Sequence, residues 1–464
     1  MIERGEVTIL GGGLTGLLLS VLLAARGFRP RVYERYADPR KGLPLEGRSI
    51  NLALAERGRR ALAKAGILDR VMHHATRMPG RALHQADGEL AFQAYGQRSE
   101  ECIYSIERVD LNILLMNAAE ALGVDIRFEQ HCVDVDAARY RAVVEHTPSG
   151  RREAIPMRPL IAADGAGSII RRHMNEQARF QASERLLDHG YKELTIPATA
   201  YGAYRMRPHA LHIWPRGGFM LIALPNRGGD FTATLFLPMD GDPGFRQLDD
   251  AAAARRLFET RFPDALALMP TFDEDFAAHP VGIMGTVRCR RWHDGGRVLL
   301  IGDAAHAIVP FHGQGMNACF EDCYVFDELL AAEPPDWQSL FAAFQDAQRD
   351  NANAIADMAL ENYVEMRDTV RDPAFHLRKA LAFELERRAG EYFVPRYSMV
   401  MFRPEISYAE AQRRGAVQAA ILDEFTRGAT TLGEVDTDAA LAATRARLSP
   451  LTLPAAKPPG AAPA

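Results

Sequence analysis

Gly11, Gly13 and Gly16 form a Gly-x-Gly-x-x-Gly set directly after the aliphatic run Val7-Thr-Ile-Leu10 and directly before the apolar run Leu17-Leu-Leu-Ser-Val-Leu-Leu23. Bare backbone at those positions lets a pyrophosphate reach the first amides of a helix, so the spacing points to a dinucleotide seated on a strand, turn and helix. Leu14 and Thr15 lie inside that turn. The next strand, Pro30-Arg-Val-Tyr33, ends at Glu34, the acid expected about twenty residues on to accept from ribose hydroxyls. Arg35 follows it and is placed to flank the adenine.

A second cradle lies far along the chain. Val298-Leu-Leu-Ile301 delivers Gly302 and Asp303 to a turn, and Pro310-Phe-His-Gly-Gln-Gly-Met-Asn317 opens a helix. Gly315, Met316 and Asn317 stand at its start, where the positive helix end stabilises charge on an electron-accepting ring. Between the two cradles, Leu160-Ile-Ala-Ala163 ends in Asp164-Gly165-Ala166-Gly167. A single Gly-x-Gly-x-x-Gly fingerprint is present, so a nicotinamide donor would have no domain of its own and would bind transiently.

The elements that must position these turns alternate strand and helix over residues 1–190 and resume over 285–372, an α/β, doubly wound pattern with an interruption. Within 191–284, Leu211-His-Ile-Trp214, Phe219-Met-Leu-Ile-Ala-Leu224 and Phe231-Thr-Ala-Thr-Leu-Phe-Leu237 read as strands of an inserted antiparallel sheet, joined by glycine-rich turns. Arg81 to His84 and Leu90 to Gln93 flank Asp87-Gly88, which predicts a hairpin near 80–96 on the side of that sheet. Helical spacing runs from Arg108 to Gly123, followed by a buried strand over Val124 to Phe128. A helix is expected from Met316 through Tyr363, broken by Asp372-Pro373; helical spacing returns over 373–445 as a cover, and the Pro/Ala-rich 446–464 reads as disordered.

The 464 residues are 47% hydrophobic and 25% charged, ordinary for a globular protein with two to three domains' worth of core. A formal net charge of −5 and the lack of a basic stripe with interleaved aromatics give no reason to expect nucleic acid. Arg57 to Arg60 and Arg288 to Arg291 read as solvated faces. Cys102, Cys132, Cys289, Cys319 and Cys323 are scattered and odd in number, which fits a reducing compartment and no metal site. The first strand leaves no room for a signal peptide and no apolar run has the length of a membrane span, so a cytoplasmic enzyme without a membrane partner is expected.

In this order, the three turns resemble those of the group A flavoprotein monooxygenases over most of the chain. Gly47-Arg-Ser-Ile-Asn-Leu-Ala-Leu54, His189-Gly-Tyr-Lys-Glu193, Ala210-Leu-His-Ile-Trp-Pro215, Pro310 to Asn317, Glu361-Asn-Tyr-Val-Glu-Met366 and Pro395-Arg-Tyr-Ser-Met-Val400 are similar to the kynurenine 3-monooxygenase family within that group. The resemblance implies a Rossmann-like FAD-binding domain, FAD as resident cofactor, NADPH as transient reductant, and O2. It implies hydroxylation of L-kynurenine to 3-hydroxykynurenine through a flavin C4a-hydroperoxide. Flavin then carries the chemistry and no side chain is assigned as catalytic; the protein excludes water and aims the ring carbon. By the same resemblance Ala53, Arg108, Asp164 and Asp303 contact FAD. A surface arginine remains the alternative for Arg108, and a helix cap for Asp303. Eukaryotic members of the family carry a C-terminal membrane anchor, and the Pro/Ala-rich end of this chain departs from them there.

For the substrate, the resemblance pairs Arg81 with the carboxylate, adds hydrogen bonds from Tyr95, Asn362 and Tyr397, and puts Glu365 near the polar head, with Met366 on the same helix face. Leu211, Ile222, Leu224, Phe236, Pro310, Phe311 and His312 match the positions around the ring; His312 is a wall, and His306 packs near the cofactor helix. Arg81 and Tyr95 must share a face. A two-residue turn at Asp87-Gly88 would set Arg81 opposite Ala94, whereas the three-residue turn Asp87-Gly88-Glu89, which is expected here, sets it opposite Tyr95. A same-fold hydroxylase of phenolic acids and a flavin-fold binding protein without redox chemistry are the competing readings. The sequence does not fix the oligomeric state.

Overall fold

Val7, Ile9, Leu160, Ile161 and Leu299 alternate or run together as apolar residues because their strands are covered on both faces. They belong to a six-stranded sheet ordered His293–Asp294, Val298–Leu300, Leu160–Ala162, Glu6–Leu10, Arg29–Tyr33, Asp125–Arg127. Every neighbouring pair is parallel except the first. The sequence-derived turns at Gly11, Asp164 and Gly302 therefore emerge side by side at the carboxyl ends of three adjacent strands, where open parallel sheets bind ligands. The computed structural model describes residues 2–42, 51–136, 139–157, 159–248, 250–367 and 373–451. Gly47 to Ile50 of one motif, Asp372 and residues 452–464 of the expected disordered tail lie outside them.

The helix Leu14–Ala25 is buried almost all round, from Leu17 to Leu23, because the sheet covers one side and the helix Gly315–Ala331 another. A Cβ at Gly16 would stand 2.0 Å from the Gly11 carbonyl oxygen, so only glycine permits this helix to sit so close to its strand.

The second sheet has seven strands in the order Gly282–Cys289, Ala182–Ile196, Phe231–Pro238, Met220–Pro225, Leu211–Pro215, Gly80–His84, Leu90–Ala94. It is antiparallel except where Leu211–Pro215 meets Gly80–His84. The inserted sheet, expected within 191–284, already begins with the strand Ala182–Ile196, and the sheet Gln130–Asp136, Arg141–His146, Arg151–Pro156 has no counterpart in the sequence reading. Asp125–Arg127 is a partly exposed edge strand rather than a buried one. The single helix expected from Met316 to Tyr363 is two, Gly315–Ala331 and Trp337–Arg367, because Pro334-Pro335 removes the donors a continuous ladder needs. Pro373–Ala389, Arg396–Phe402, Tyr408–Thr426 and Thr437–Arg447 complete the chain.

Arg57 is not on a solvated face. It is 1% exposed, ion-paired to Glu321 at 3.1 Å, stacked over the Tyr408 ring at 4.0 Å, and donates to the carbonyls of Val400, Pro404 and Ile406. It thereby fastens the C-terminal helices to the helix Glu56–Lys64. Among the described residues, no helix is long and apolar enough to cross a membrane.

Candidate flavin and substrate site

The cradle is made of backbone. Leu14–Ala25 starts after Gly13 with no side chain capping its first amides, and Gly315–Ala331 likewise starts uncapped after Gln314. A Cβ on Gly13 would meet nothing within 4 Å, and one on Gly315 would only touch Ile308 at 4.0 Å. Two helix N-termini with free amides therefore border open space, the arrangement an anionic, hydroxyl-rich ligand completes. Glu34 is held beside the first turn by the amides of Gly12 (2.7 Å) and Tyr36 (2.9 Å). Asp164 accepts from the Ile169 amide at 3.0 Å through Oδ2, while its buried Oδ1 has no partner among the described residues. Burial raises its pKa despite that helix-end bonding.

Gly302 adopts φ +62°, and the hydroxyl and methyl of Thr15 would lie 2.9 Å from any Cβ there. Asp303 follows at the start of the short helix Asp303–His306, with the Cys319 thiol 3.6 Å from its Oδ1. His306 bonds Asp322 at 2.6 Å, and Asp322 also accepts from the Gly302 amide at 3.0 Å, so this histidine braces the turn. Asn317 is fully committed to protein: it accepts from the Ala55 amide (2.9 Å) and donates to the carbonyls of Ala53 (2.8 Å) and Gly313 (2.9 Å). Met316 is buried. Arg108 is exposed on the first turn of its helix, and Arg35 is exposed with its guanidinium 4.4 Å from the Tyr36 ring. The chemistry of this set fits FAD: uncapped amides for phosphate, an oriented acid for ribose, and an orphaned carboxylate oxygen for hydroxyls.

The second part of the site is made of side chains. Arg81 is 8% exposed, with its guanidinium 5.5 Å from the Tyr95 ring and 5.0 Å from the Tyr397 ring. Tyr95 and Tyr397 stack at 5.6 Å, and Tyr397 stacks on His312 at 5.4 Å. Arg81 Nε, Tyr95 Oη and His312 Nδ1 are buried without hydrogen-bond partners among the described residues. Burial opposes the charge on Arg81, but Tyr397, Tyr95 and the Glu365 carboxylate outweigh it and hold the cation. Burial raises the pKa of both phenols, keeping them neutral donors. Burial also pushes His312 down to about 3, with Arg396 and Arg81 adding to the effect, so its ring is neutral at physiological pH.

The hairpin register differs from both alternatives. Gln85 donates to the Glu89 carbonyl, the turn is Ala86-Asp87-Gly88, and Arg81 faces Gln93. Neither expected partner, Ala94 or Tyr95, lies opposite. The shared face survives because Tyr95 is two residues beyond Gln93, a diagonal neighbour of Arg81. Tyr95 lies just past the strand, its amide bonded to the Pro79 carbonyl at 3.1 Å.

Beyond the polar end, Phe236 meets Phe311 at 5.0 Å, and Ile222, Leu211 and Met366 join the same apolar cluster. Leu224 packs in a neighbouring cluster with Tyr95 and Tyr397, and Pro310 is exposed at the start of the turn Pro310–His312. Asn362 donates to the Phe311 carbonyl at 2.7 Å and so fixes that turn. Two residues that sequence reasoning did not single out join the set. Tyr363 stacks on Phe311 at 3.8 Å, and its place between Asn362 and Glu365 in the quoted motif was the available signal. Lys379 contacts the hairpin end from the Pro373–Ala389 helix, and a lone helical lysine carries no signal.

A family model described as "FAD binding domain" matches residues 4–357. Kynurenine 3-monooxygenase of Stenotrophomonas maltophilia (strain K279a) is 48% identical over 433 residues, 93% of this chain and 94% of that protein. The enzyme of the same name from Xanthomonas axonopodis pv. citri is 47% identical over 453 residues, covering 97% and 98%. Among solved structures, 2-methyl-3-hydroxypyridine-5-carboxylic acid oxygenase aligns with a TM-score of 0.64 at 19% identity, covering 80% of this chain and 95% of that one. P. aeruginosa PqsL, in complex with 2-aminobenzoylacetate, aligns at 0.62 and 19% identity, covering 79% and 97%. At those identities the structures share the fold alone. The sequence relatives reach further, and the chain belongs to the kynurenine 3-monooxygenase family of FAD-binding monooxygenases.

Proposed function

We propose that the protein hydroxylates L-kynurenine to 3-hydroxykynurenine, at the ring carbon ortho to the aniline nitrogen, using NADPH and O2. The observation that carries this reading is Arg81: a buried guanidinium flanked by two neutral phenols, with its Nε and the Tyr95 hydroxyl unpartnered among the described residues. Leaving such groups unsatisfied costs about 1–3 kcal/mol each. A ligand carboxylate removes that cost, and Glu365 offers an acceptor for an adjacent ammonium. A simple phenol has neither group.

FAD bound in the cradle supplies the transfer of electrons from NADPH to oxygen. The uncapped amides after Gly13 and Gln314 hold its anionic parts, Glu34 its ribose, and Asp164 or Asp303 its hydroxyls. Arg81, Tyr95 and Tyr397 grip the amino-acid head, while Phe236, Phe311 and Ile222 flank the ring and exclude water. Neutral His312 orients and shields. With no proton to give near neutral pH, it is not the acid. Helices over 373–445 act as the cover, and their seating is the step that substrate occupancy favours.

Anaerobic reduction of the bound flavin by NADPH tests the reading. Reduction should be accelerated by L-kynurenine, and aerobic turnover should yield 3-hydroxykynurenine. Equal rates with and without L-kynurenine would remove the gating role of the cover, and clean hydroxylation of a phenolic acid in its place would remove the substrate assignment.

A further inference from the structure

The Pro373–Ala389 helix brings a second cation to the acid-recognising end. Lys379 is half-buried, with its ammonium donating to the carbonyl of Ala94, the residue before Tyr95, at 3.4 Å, and lying 5.5 Å from the Phe383 ring. That bond is long and, among the described residues, engages only one of three donors. The same helix is seated on the same segment by Gln97, which donates to the Phe383 carbonyl at 3.0 Å and to Glu386 at 2.8 Å. Lys379 therefore stands where the cover closes on the hairpin.

The charged groups facing it come from two other elements. Arg81, on the strand Gly80–His84, repels it, and Glu365, on the helix Trp337–Arg367, attracts it. Tyr95 and Tyr397, also at this end, are neutral. Among the described residues, two cations face one carboxylate here, and a substrate carboxylate would bring the balancing charge. We propose that Lys379 is a specificity-determining residue of this site, supplying from the cover the second cation that a substrate carboxylate needs. This rests on the reading that the site takes an amino-acid head group.

Burial, aided by Arg81 and opposed by Glu365, pulls Lys379 down to about 8. A fraction of the molecules is then unprotonated near that pH. An arriving carboxylate favours the ammonium, so binding draws a proton from solvent, and affinity declines as pH rises through and above 8.

The test is calorimetric titration of the FAD-loaded protein at pH 8 in buffers of different ionisation enthalpy. Two ligands are used: L-kynurenine, and its analogue lacking the α-amine, which has a carboxylate but no ammonium to titrate. The wild type should take up a measurable fraction of a proton per analogue bound, as a group partly deprotonated at that pH requires. K379M should take up none and bind roughly tenfold more weakly or worse at pH 7. K379R, charged at every pH used, should hold affinity without proton uptake. Flavin content and melting temperature equal to wild type show that the variants are folded. Unchanged affinity and proton uptake in K379M would overturn the proposal alone. Failure of wild type to bind L-kynurenine would overturn the reading beneath it as well.

Discussion

The glycine-turn cradle and the Arg81 end, proposed to hold the substrate's acid group, lie in one chain but are built by opposite means. In the cradle, recognition falls to the backbone: uncapped amides, glycines at close approaches, and strand ends set side by side by a parallel sheet. At the other end, Arg81 comes from the first strand of the hairpin, Tyr95 from just past its second, Glu365 from a long helix, and Tyr397 from a C-terminal one. The first is a local device that survives wherever the strand, turn and helix fold. The second exists only when three distant segments, the hairpin and two helices, are packed together, so it can be lost without disturbing the first.

The largest effect should come from Gly16→Ala. A Cβ 2.0 Å from the Gly11 carbonyl must push helix from strand, costing about 3 kcal/mol or more and the bound flavin with it. Gly13→Ala, whose Cβ meets no protein atom within 4 Å, should leave the melting temperature of the flavin-free protein intact and weaken flavin retention. If both variants behave alike, the distinction between packing and ligand-facing glycines fails.

Arg81→Met should weaken L-kynurenine binding by about 2–5 kcal/mol, the usual loss when one partner of a desolvated charged pair is removed, while FAD stays in place. Titration followed by flavin absorbance reads both. Arg57→Met should cost about 3 kcal/mol in denaturant unfolding, the low end for a broken buried pair because Glu321 keeps Arg60 at 2.9 Å. Its loss should loosen the C-terminal helices and with them Tyr397.

The neutral state of His312 makes stability depend on pH. Its folded pKa, about 3, lies below the unfolded value, so the unfolded chain binds a proton that the native one refuses. The contribution is fully present above about pH 6.5 and is lost as pH falls towards 3, at about 1.4 kcal/mol per unit. His312→Gln should flatten thermal stability over that window; an unaltered profile would show that His312 is protonated in the native protein. Smallest is Tyr95→Phe, about 0.5–1.5 kcal/mol in L-kynurenine affinity for one lost hydrogen bond.

The cradle was legible because glycine spacing and a strand-end acid report backbone geometry directly. The side-chain end was reached through resemblance, and its details were not. The hairpin loop is Ala86-Asp87-Gly88, since Gln85 and Glu89 close it, and no residue type at those positions distinguishes this from a turn one residue later. The sheet from Gln130 to Pro156 carries charged residues on its exposed faces, which blurs the alternation that would mark its strands. Arg57 looked solvated because its carbonyl partners, at Val400, Pro404 and Ile406, lie more than three hundred residues away. Lys379 was silent for the same reason: only tertiary packing puts it beside Ala94.

The most direct test of the account is the stoichiometry of aerobic turnover with L-kynurenine. If the acid-recognising end grips its head group and the walls exclude water, 3-hydroxykynurenine should form in the same amount as NADPH is consumed, with little hydrogen peroxide. NADPH consumption that yields peroxide alone with L-kynurenine, under conditions where a phenolic acid is cleanly hydroxylated, would contradict it.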